Sequence, residues 1–384
     1  MSEAPQADPA ASQGPLSGVS VLEIGDELGS YSGRLLADLG AEVTRVLATW
    51  HDAPPVGSPE RSASDWFLHR GKVTVRVDLA GAAGRGELVE LLRNASVLIE
   101  SAADGTSSPT GLSRMELKQL NPELIVISVT PFGREGPYAS HRSTDLTRLA
   151  AGGLLWLGGY PDAEPVAPYG GQSNYAAGIF ASIAALLAMI ARQRDGQGRA
   201  IDVSAQETVI QALEDSIAQY DLTGHVRRRL GDSPREAGTG VYACRDGYVS
   251  MVAGRLGTAH AWERLCDWLA EEGVERANEL LEPEWQSFAH RQKESSAALF
   301  ATIFSSFAAT RGKQELYLEA QRRSIALAPV NTIDDLLADR QLQERHFFTE
   351  ILHPDATVRA TFPRPPYRLS PTSAPIAGST RRST

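Results

Sequence analysis

Cysteine is almost missing from this chain: 384 residues contain only Cys244 and Cys266. They stand 22 positions apart, with no Cys-x-x-Cys spacing and no histidine pair beside them, which excludes a structural zinc set and a disulfide framework. Both read as reduced structural thiols. Positive charge is in deficit as well. Lys and Arg total 37 against 47 Asp and Glu, a formal net charge of −10, so a general nucleic-acid binder is excluded and only a local basic pocket for one phosphorylated ligand remains open. A long hydrophobic run is absent too. The longest apolar stretch, Ala176 to Ala191, falls short of the roughly 18 to 20 residues of a spanning helix and is followed by Arg192 and Arg194, so it reads as a buried core helix with no membrane partner. The start, MSEAPQADPAASQGPLSG, has no basic segment leading into an apolar one; residues 1–14 are expected to be a disordered tail, not a secretion signal, and the protein is expected in the cytoplasm.

Several catalytic signatures are missing. After the first strand, Gly25 and Gly29 are separated by Asp26, Glu27 and Leu28, which is the wrong spacing for a dinucleotide fingerprint and places two acids where a pyrophosphate would sit. There is no G-x-x-x-x-G-K-[ST], no G-x-S-x-G and no H-E-x-x-H, and none of the eight histidines is paired at helical metal spacing. A P-loop, a serine-hydrolase elbow and a metal centre are therefore not expected, and 42% hydrophobic with 22% charged residues describes a soluble folded protein.

What the sequence does contain is alternation. Val19 to Ile24, Glu42 to Val46, Val73 to Leu79, Ser96 to Ile99 and Leu124 to Val129 are short β-rich runs, and helical patterns cover Tyr31 to Leu39, Ala83 to Arg93 and Arg114 to Gln119. This predicts a mostly parallel sheet covered on both faces, completed by the helix from Ala176, a strand over 200–204 and a helix from Gln206. The polar, glycine-rich TGHVRRRLGDSPREAGTG then marks a boundary. Beyond it Val241 to Val252 reads as a hairpin turning at Arg245-Asp246-Gly247, with helices near Trp262, Trp268 and Trp285. The division expected is a tail over 1–14, a large Rossmann-like α/β domain over 15–221, a linker and smaller α+β domain over 222–330, and a return segment with a loose C-terminal tail over 331–384.

Successive blocks then carry a resemblance. GPLSGVSVLEIG, LLADLGAEVTRV, FLHRGKVTVRVDL, GLSRMELKQLNPELIVISVTPFGREGPYASHRSTDLTRLAAGGLLWLGG and AAGIFASIAALLAMIARQRDGQGRAIDVSAQE, followed in order by CRDGYVSMV, IALAPVNTIDDLLADRQLQERHFFTEILHP and FPRPPYRLSPTSAPIAG, span Gly14 to Gly378. This series resembles the class III CoA-transferase family of CaiB/BaiF type, which also holds formyl-CoA transferase, the carnitine CoA-transferase and α-methylacyl-CoA racemase. The resemblance implies a Rossmann-like large domain, a smaller α+β domain and two chains interlocked like links. It implies coenzyme A or an acyl-CoA as substrate, with no permanently bound cofactor and no metal. It also implies an aspartate at the start of the long apolar helix that attacks the thioester and carries CoA as an aspartyl thioester, a task requiring an ionised carboxylate and nearby oxyanion donors.

Here the chain departs from the pattern. The family aspartate falls four residues before Gly178, and that position is Asn174, whose amide has no anionic oxygen. Taken by itself Asn174 reads as a helix N-cap. The racemase dipeptide His-Asp is replaced by Thr144-Asp145, so two-faced proton exchange is not expected; Asp145 itself matches the transferases. The Asn-Arg-x-Lys block reads His69-Arg70-Gly71-Lys72 and keeps two cations for the CoA phosphates. The block after the fourth strand reads Glu100-Ser101-Ala102-Ala103-Asp104-Gly105, and the end of the second strand reads Arg45-Val46-Leu47. Arg45, His69, Arg70, Lys72, Gly105 and Asp145 are thus the candidate CoA-binding residues, and the altered blocks around them are expected to weaken binding. Arg227 to Arg229 read as a solvated face, and Gly238 and Gly240 as turn glycines or a flexible loop. A site that has lost its nucleophile and part of its nucleotide cradle suggests the non-catalytic subunit of a two-subunit transferase of succinyl-CoA:benzylsuccinate type, paired with a homologue that supplies the aspartate. The alternatives are a homodimeric acyl-CoA enzyme with different chemistry and a CoA-independent binding or regulatory protein.

Overall fold

A computed structural model describes residues 14–48, 59–229, 231, 236–254, 260–352 and 359–369. The described residues of Met1–Trp156, Val166–Arg227 and Gln341–Thr384 form one unit, and those of Leu157–Pro165 and Arg228–Arg340 a second. The sequence boundaries at 222 and 331 compare with Arg228 and Gln341 in this division, and the expected loose termini lie outside the described residues apart from Gly14.

The first unit is built on six strands, β1 (Ser20–Gly25), β2 (Glu42–Ala48), β3 (Val73–Val77), β4 (Val97–Ser101), β5 (Ile125–Thr130) and β6 (Ala200–Ser204). Between them run α1 (Ser30–Asp38), α2 (Pro59–His69), α3 (Ala82–Asn94), α4 (Arg114–Leu120), α5 (Asp145–Ala151) and α6 (Gln172–Asp195). Helices α7 (Ala205–Ile210) and α8 (Ser216–Thr223) follow β6. All six strands are parallel in the order β3-β2-β1-β4-β5-β6, so the strand order reverses between β1 and β4. This is the Rossmann-like order, and side-chain alternation explains why both faces are covered. Val21, Val97, Ile99, Ile125 and Ile127 pack with Leu36 of α1 and Ala177, Ala181 and Ala185 of α6. Leu22, Ile24, Val46, Leu98 and Val126 pack on the opposite face with Leu88 and Leu92 of α3 and Leu117 of α4.

Helix α6 differs from its expectation. It runs 24 residues, long and apolar enough by length and composition to cross a membrane, and it is buried along one face only. Ala177, Gly178, Ala181, Ala185, Ala188 and Met189 form the buried face, whereas Ile179, Phe180, Ile183, Leu187 and Ile190 are exposed. Small residues on the buried face permit a close approach: a Cβ on Gly178 would lie 2.7 Å from the Cβ of Tyr31.

In the second unit, β7 (Thr239–Cys244), β8 (Gly247–Val252) and β9 (Ala326–Pro329) form an antiparallel sheet. Helices α9 (Ala261–Glu271), α11 (Glu294–Ala308) and α12 (Lys313–Arg322), with the short α10 (Phe288–Arg291) between α9 and α11, pack with it around a core that includes Trp262, Trp268, Phe300 and Phe304, joined by Trp285 from the turn before α10. Cys266 is buried there, and burial pushes its thiol up to about 12. Past α13 (Ile333–Ala338) and α14 (Arg340–Glu344), the hairpin β10 (Phe348–Leu352) and β11 (Arg359–Pro363) belongs to the first unit, with Ile351 and Phe362 against Trp66.

Candidate active site

The C-terminal ends of β1 and β4, where the strand order reverses, are the place an open α/β sheet offers a ligand. Gly25 makes the turn there with φ of +123°, and a Cβ on it would lie 1.8 Å from the carbonyl oxygen of Ser101 at the end of β4. The following Asp26 is tied into the turn: its Oδ1 accepts the Leu28 N–H at 3.0 Å, and its carbonyl accepts Ser101 Oγ at 2.8 Å. The first turn of α6 packs beside the first turn of α1. Tyr175 meets Tyr31 edge-on with ring centroids 4.9 Å apart, and Phe67 of α2 lies 6.3 Å from Tyr31 and 6.4 Å from Tyr175.

Four polar side chains from α5 and α6 form one connected chain of hydrogen bonds. Asp145 Oδ1 accepts the backbone N–H of Ser173 at 2.8 Å and its hydroxyl at 2.6 Å. The Ser173 oxygen in turn accepts Arg148 Nε at 2.9 Å, and Arg148 Nη2 donates to Asn174 Oδ1 at 2.6 Å. Ser143 Oγ holds the third guanidinium nitrogen, Nη1, at 2.8 Å. Arg148 is only 6% exposed and forms no ion pair among the described residues. Burial pushes its pKa down, opposed by the charges of Asp145 and Asp26, so Asp145 balances it at one remove through the Ser173 hydroxyl.

This corrects the reading of Asn174 as an N-cap. The cap position is Gly171, which has no side chain to offer, and Asn174 is the third residue of α6. The orphan N–H of Ser173 is satisfied from another helix by Asp145, leaving the Asn174 amide available to Arg148. Sequence reasoning did not find Arg148, Ser143 or Ser173. The available signal was the one-turn spacing from Asp145 to Arg148, which puts both on the same face of α5.

The remaining sequence candidates lie in two other groups. Lys72 is fully buried, its Nζ 2.9 and 2.7 Å from the two Glu23 carboxylate oxygens, 2.7 Å from the Ser30 carbonyl and 3.2 Å from His69 Nδ1. Burial, opposed by Glu23, lowers its pKa to about 8. The His69 imidazole is held neutral by burial first, then by the charges of Lys72 and Arg45. Arg70, also buried, donates to the Pro363 carbonyl at 2.8 Å and sits 5.3 Å over the Phe362 ring. In this structure Lys72 is held by internal partners in the turn between α2 and β3, whereas Arg70 beside it keeps Nε and Nη1 buried without a hydrogen-bond partner among the described residues. Arg45 on β2 is half-buried, 3.5 Å from Asp65. Beyond β4, Gly105 donates to the Ala139 carbonyl at 2.6 Å, and Glu100 is a buried hub accepting Arg114 and Ser128. Arg228 is exposed, while Arg227 pairs with Asp215 at 2.7 Å and Arg229 donates to the Tyr160 carbonyl. Gly238, with φ of +85°, sits in the turn entering β7. The described residues contain no cluster of metal-ligating side chains.

Comparison with known proteins agrees with this architecture. The sequence profile of CoA-transferase family III matches residues 16–380. The chain is 34% identical over 364 residues to the succinyl-CoA:(R)-benzylsuccinate CoA-transferase subunit BbsE of Thauera aromatica, covering 91% of this chain and 87% of that one. It is 28% identical over 367 residues to the succinyl-CoA--L-malate CoA-transferase alpha subunit of Chloroflexus aurantiacus, covering 90% and 82%. Among solved structures, a CAIB/BAIF family protein from Brucella suis superposes with a TM-score of 0.83 at 25% identity, covering 96% of this chain and 97% of that one. With a match from one end of the described fold to the other, this chain belongs to CoA-transferase family III.

Proposed function

We propose that this chain is the non-catalytic subunit of a heteromeric acyl-CoA:carboxylic acid CoA-transferase of succinyl-CoA:benzylsuccinate type, working with a homologous subunit that supplies the nucleophilic aspartate. The observation that carries the reading is the amide of Asn174, held by Arg148 at the mouth of the sheet where the family resemblance places a carboxylate. An amide cannot form the mixed anhydride and aspartyl thioester that a carboxylate can, so covalent transfer needs an acid from elsewhere. Two relatives named as subunits, one of a benzylsuccinate and one of a malate CoA-transferase, support the two-chain reading. The apolar stripe of α6 is a face for such a partner. The reading puts the pair in the cytoplasm, where free thiols such as Cys244 and Cys266 stay reduced.

The test is native mass spectrometry of the tagged protein from its source cells, followed by CoA-transfer assays with succinyl-CoA as donor. The expected result is a mixed assembly with a homologue bearing aspartate at the place of Asn174, and transfer by the pair but not by this chain. Transfer by a pure homodimer would overturn the proposal and favour an enzyme using different chemistry.

A further inference from the structure

We infer that Asn174 is a hydrogen-bond donor to the acyl oxygen of the bound thioester, and that Arg148 is the positioning residue that makes it one. The inference rests on the reading of position 174 as the acyl end of the site. An asparagine amide offers an acceptor oxygen on one side and two N–H donors on the other, and which side faces a ligand depends on what holds it. A guanidinium has donors only, so the atom facing Arg148 Nη2 must be Oδ1. The guanidinium is itself fixed by Ser173 and Ser143, so it cannot swing away without leaving buried donors unpaired. Nδ2 therefore points to the other side, towards Gly171, where a Cβ would lie 3.2 Å from it, and it has no hydrogen-bond partner among the described residues.

The consequence is an inversion of chemical role. A carboxylate presents only acceptors, whereas the Arg148-oriented amide presents donors, complementary to a carbonyl oxygen and to the negative charge that grows on it as a thioester is attacked. An aspartate at 174 would keep one oxygen on Arg148 as a charge-assisted ion pair and turn the other, an acceptor, to the side where the amide offers donors.

The experiment compares CoA and carbonyl-13C-labelled acetyl-CoA on the assembly purified from source cells, with wild type, Asn174→Ala, Asn174→Asp, Arg148→Lys and Arg148→Gln in this chain. Affinity is read by calorimetry and the carbonyl stretch by isotope-edited infrared spectroscopy. Wild type is expected to prefer acetyl-CoA over CoA by about fivefold, the worth of one net hydrogen bond. Its carbonyl stretch is expected at lower frequency than in Asn174→Ala. Asn174→Ala and Asn174→Asp are expected to lose the preference while keeping CoA affinity. Arg148→Lys, still a pure donor, is expected to retain the frequency shift, and Arg148→Gln, which can face the amide either way round, to lose it. Binding of CoA with an acetyl preference and frequency indifferent to residue 174 would overturn the inference while leaving the subunit reading intact. Absence of any CoA binding by this chain would overturn the acyl-site reading and the inference with it. A failure of the Arg148 variants to fold leaves the Asn174 variants to decide.

Discussion

Lys72 carries its charge into a place with no access to water, and that decides what it can do. Its ammonium is saturated by Glu23, the Ser30 carbonyl and His69, so its role in this structure is to neutralise a buried carboxylate across β1, α1 and the start of β3. Lys72→Met is expected to destabilise the fold by about 3–5 kcal/mol, the usual consequence of stranding one member of a buried ion pair, while adding Glu23→Gln should recover much of the loss. Urea unfolding of the single and double variants checks this. An unchanged unfolding midpoint with weakened CoA binding would restore the phosphate role expected from the sequence. The pH dependence has a definite sign. The folded pKa of about 8 lies below the roughly 10.4 of an unfolded lysine, so between those values the unfolded chain binds more protons. Wild type should therefore gain stability relative to Lys72→Met as pH rises from about 8 towards 10. The sequence showed that position 72 is a cation but not which way it faces, because inward and outward lysines differ in their partners and not in local pattern. Asn174 was legible as a departure from a family pattern, whereas Arg148, which gives that departure its chemistry, was hidden as an ordinary charged residue on a short helix.

At the scale of elements, the start of α6 depends on α5. Asp145 accepts both the N–H and the hydroxyl of Ser173 and balances Arg148 through that same hydroxyl. Asp145→Ala is therefore expected to cost about 1–3 kcal/mol, more than an ordinary cap, since it also removes the larger of the two negative charges, with Asp26, that offset the buried guanidinium. Hydrogen exchange should quicken first at Ser173 to Tyr175, with the middle of α6 still protected; uniform protection along α6 in this variant would refute the dependence. Most elements could be read in advance for a simple reason. Parallel strands covered on both faces, such as β4 and β5, are continuous apolar runs, and the helices between them carry their own periodicity. The cap of α6 could not be read that way. Its donor and acceptor lie on different helices separated by a long loop, so local rules chose a residue near the helix start with a capping side chain, Asn174. The extent of burial on α6 was missed for a related reason, since an apolar sequence does not say which of its faces finds a neighbour.

At the scale of the whole molecule, that second face of α6 is the feature with the largest consequence. Ile179, Ile183, Leu187 and Ile190 recur at helical spacing, with Phe180 beside them, and Leu187 is 61% exposed. A contiguous stripe of this kind is costly to leave in water, and under the proposed function its occupant is the homologous partner subunit. A buried charge at such a joint lacks an ion-pair partner and is strongly unfavourable, whereas on a free surface it is nearly neutral. Leu187→Glu should therefore leave the unfolding transition of the isolated chain within about 0.5 kcal/mol of wild type and lower its affinity for the partner at least tenfold. Arg194→Glu, on the exposed last turn, serves as a control for charge alone and should leave assembly unchanged. Native mass spectrometry at matched concentrations reads both. Because the partner carries the aspartate in this scheme, CoA transfer should fall with the population of the mixed assembly and recover at high protein concentration, which a direct lesion of the active site would not do. A mixed assembly that persists in Leu187→Glu at wild-type strength would show that the subunits meet through another face and that the α6 stripe serves a different contact.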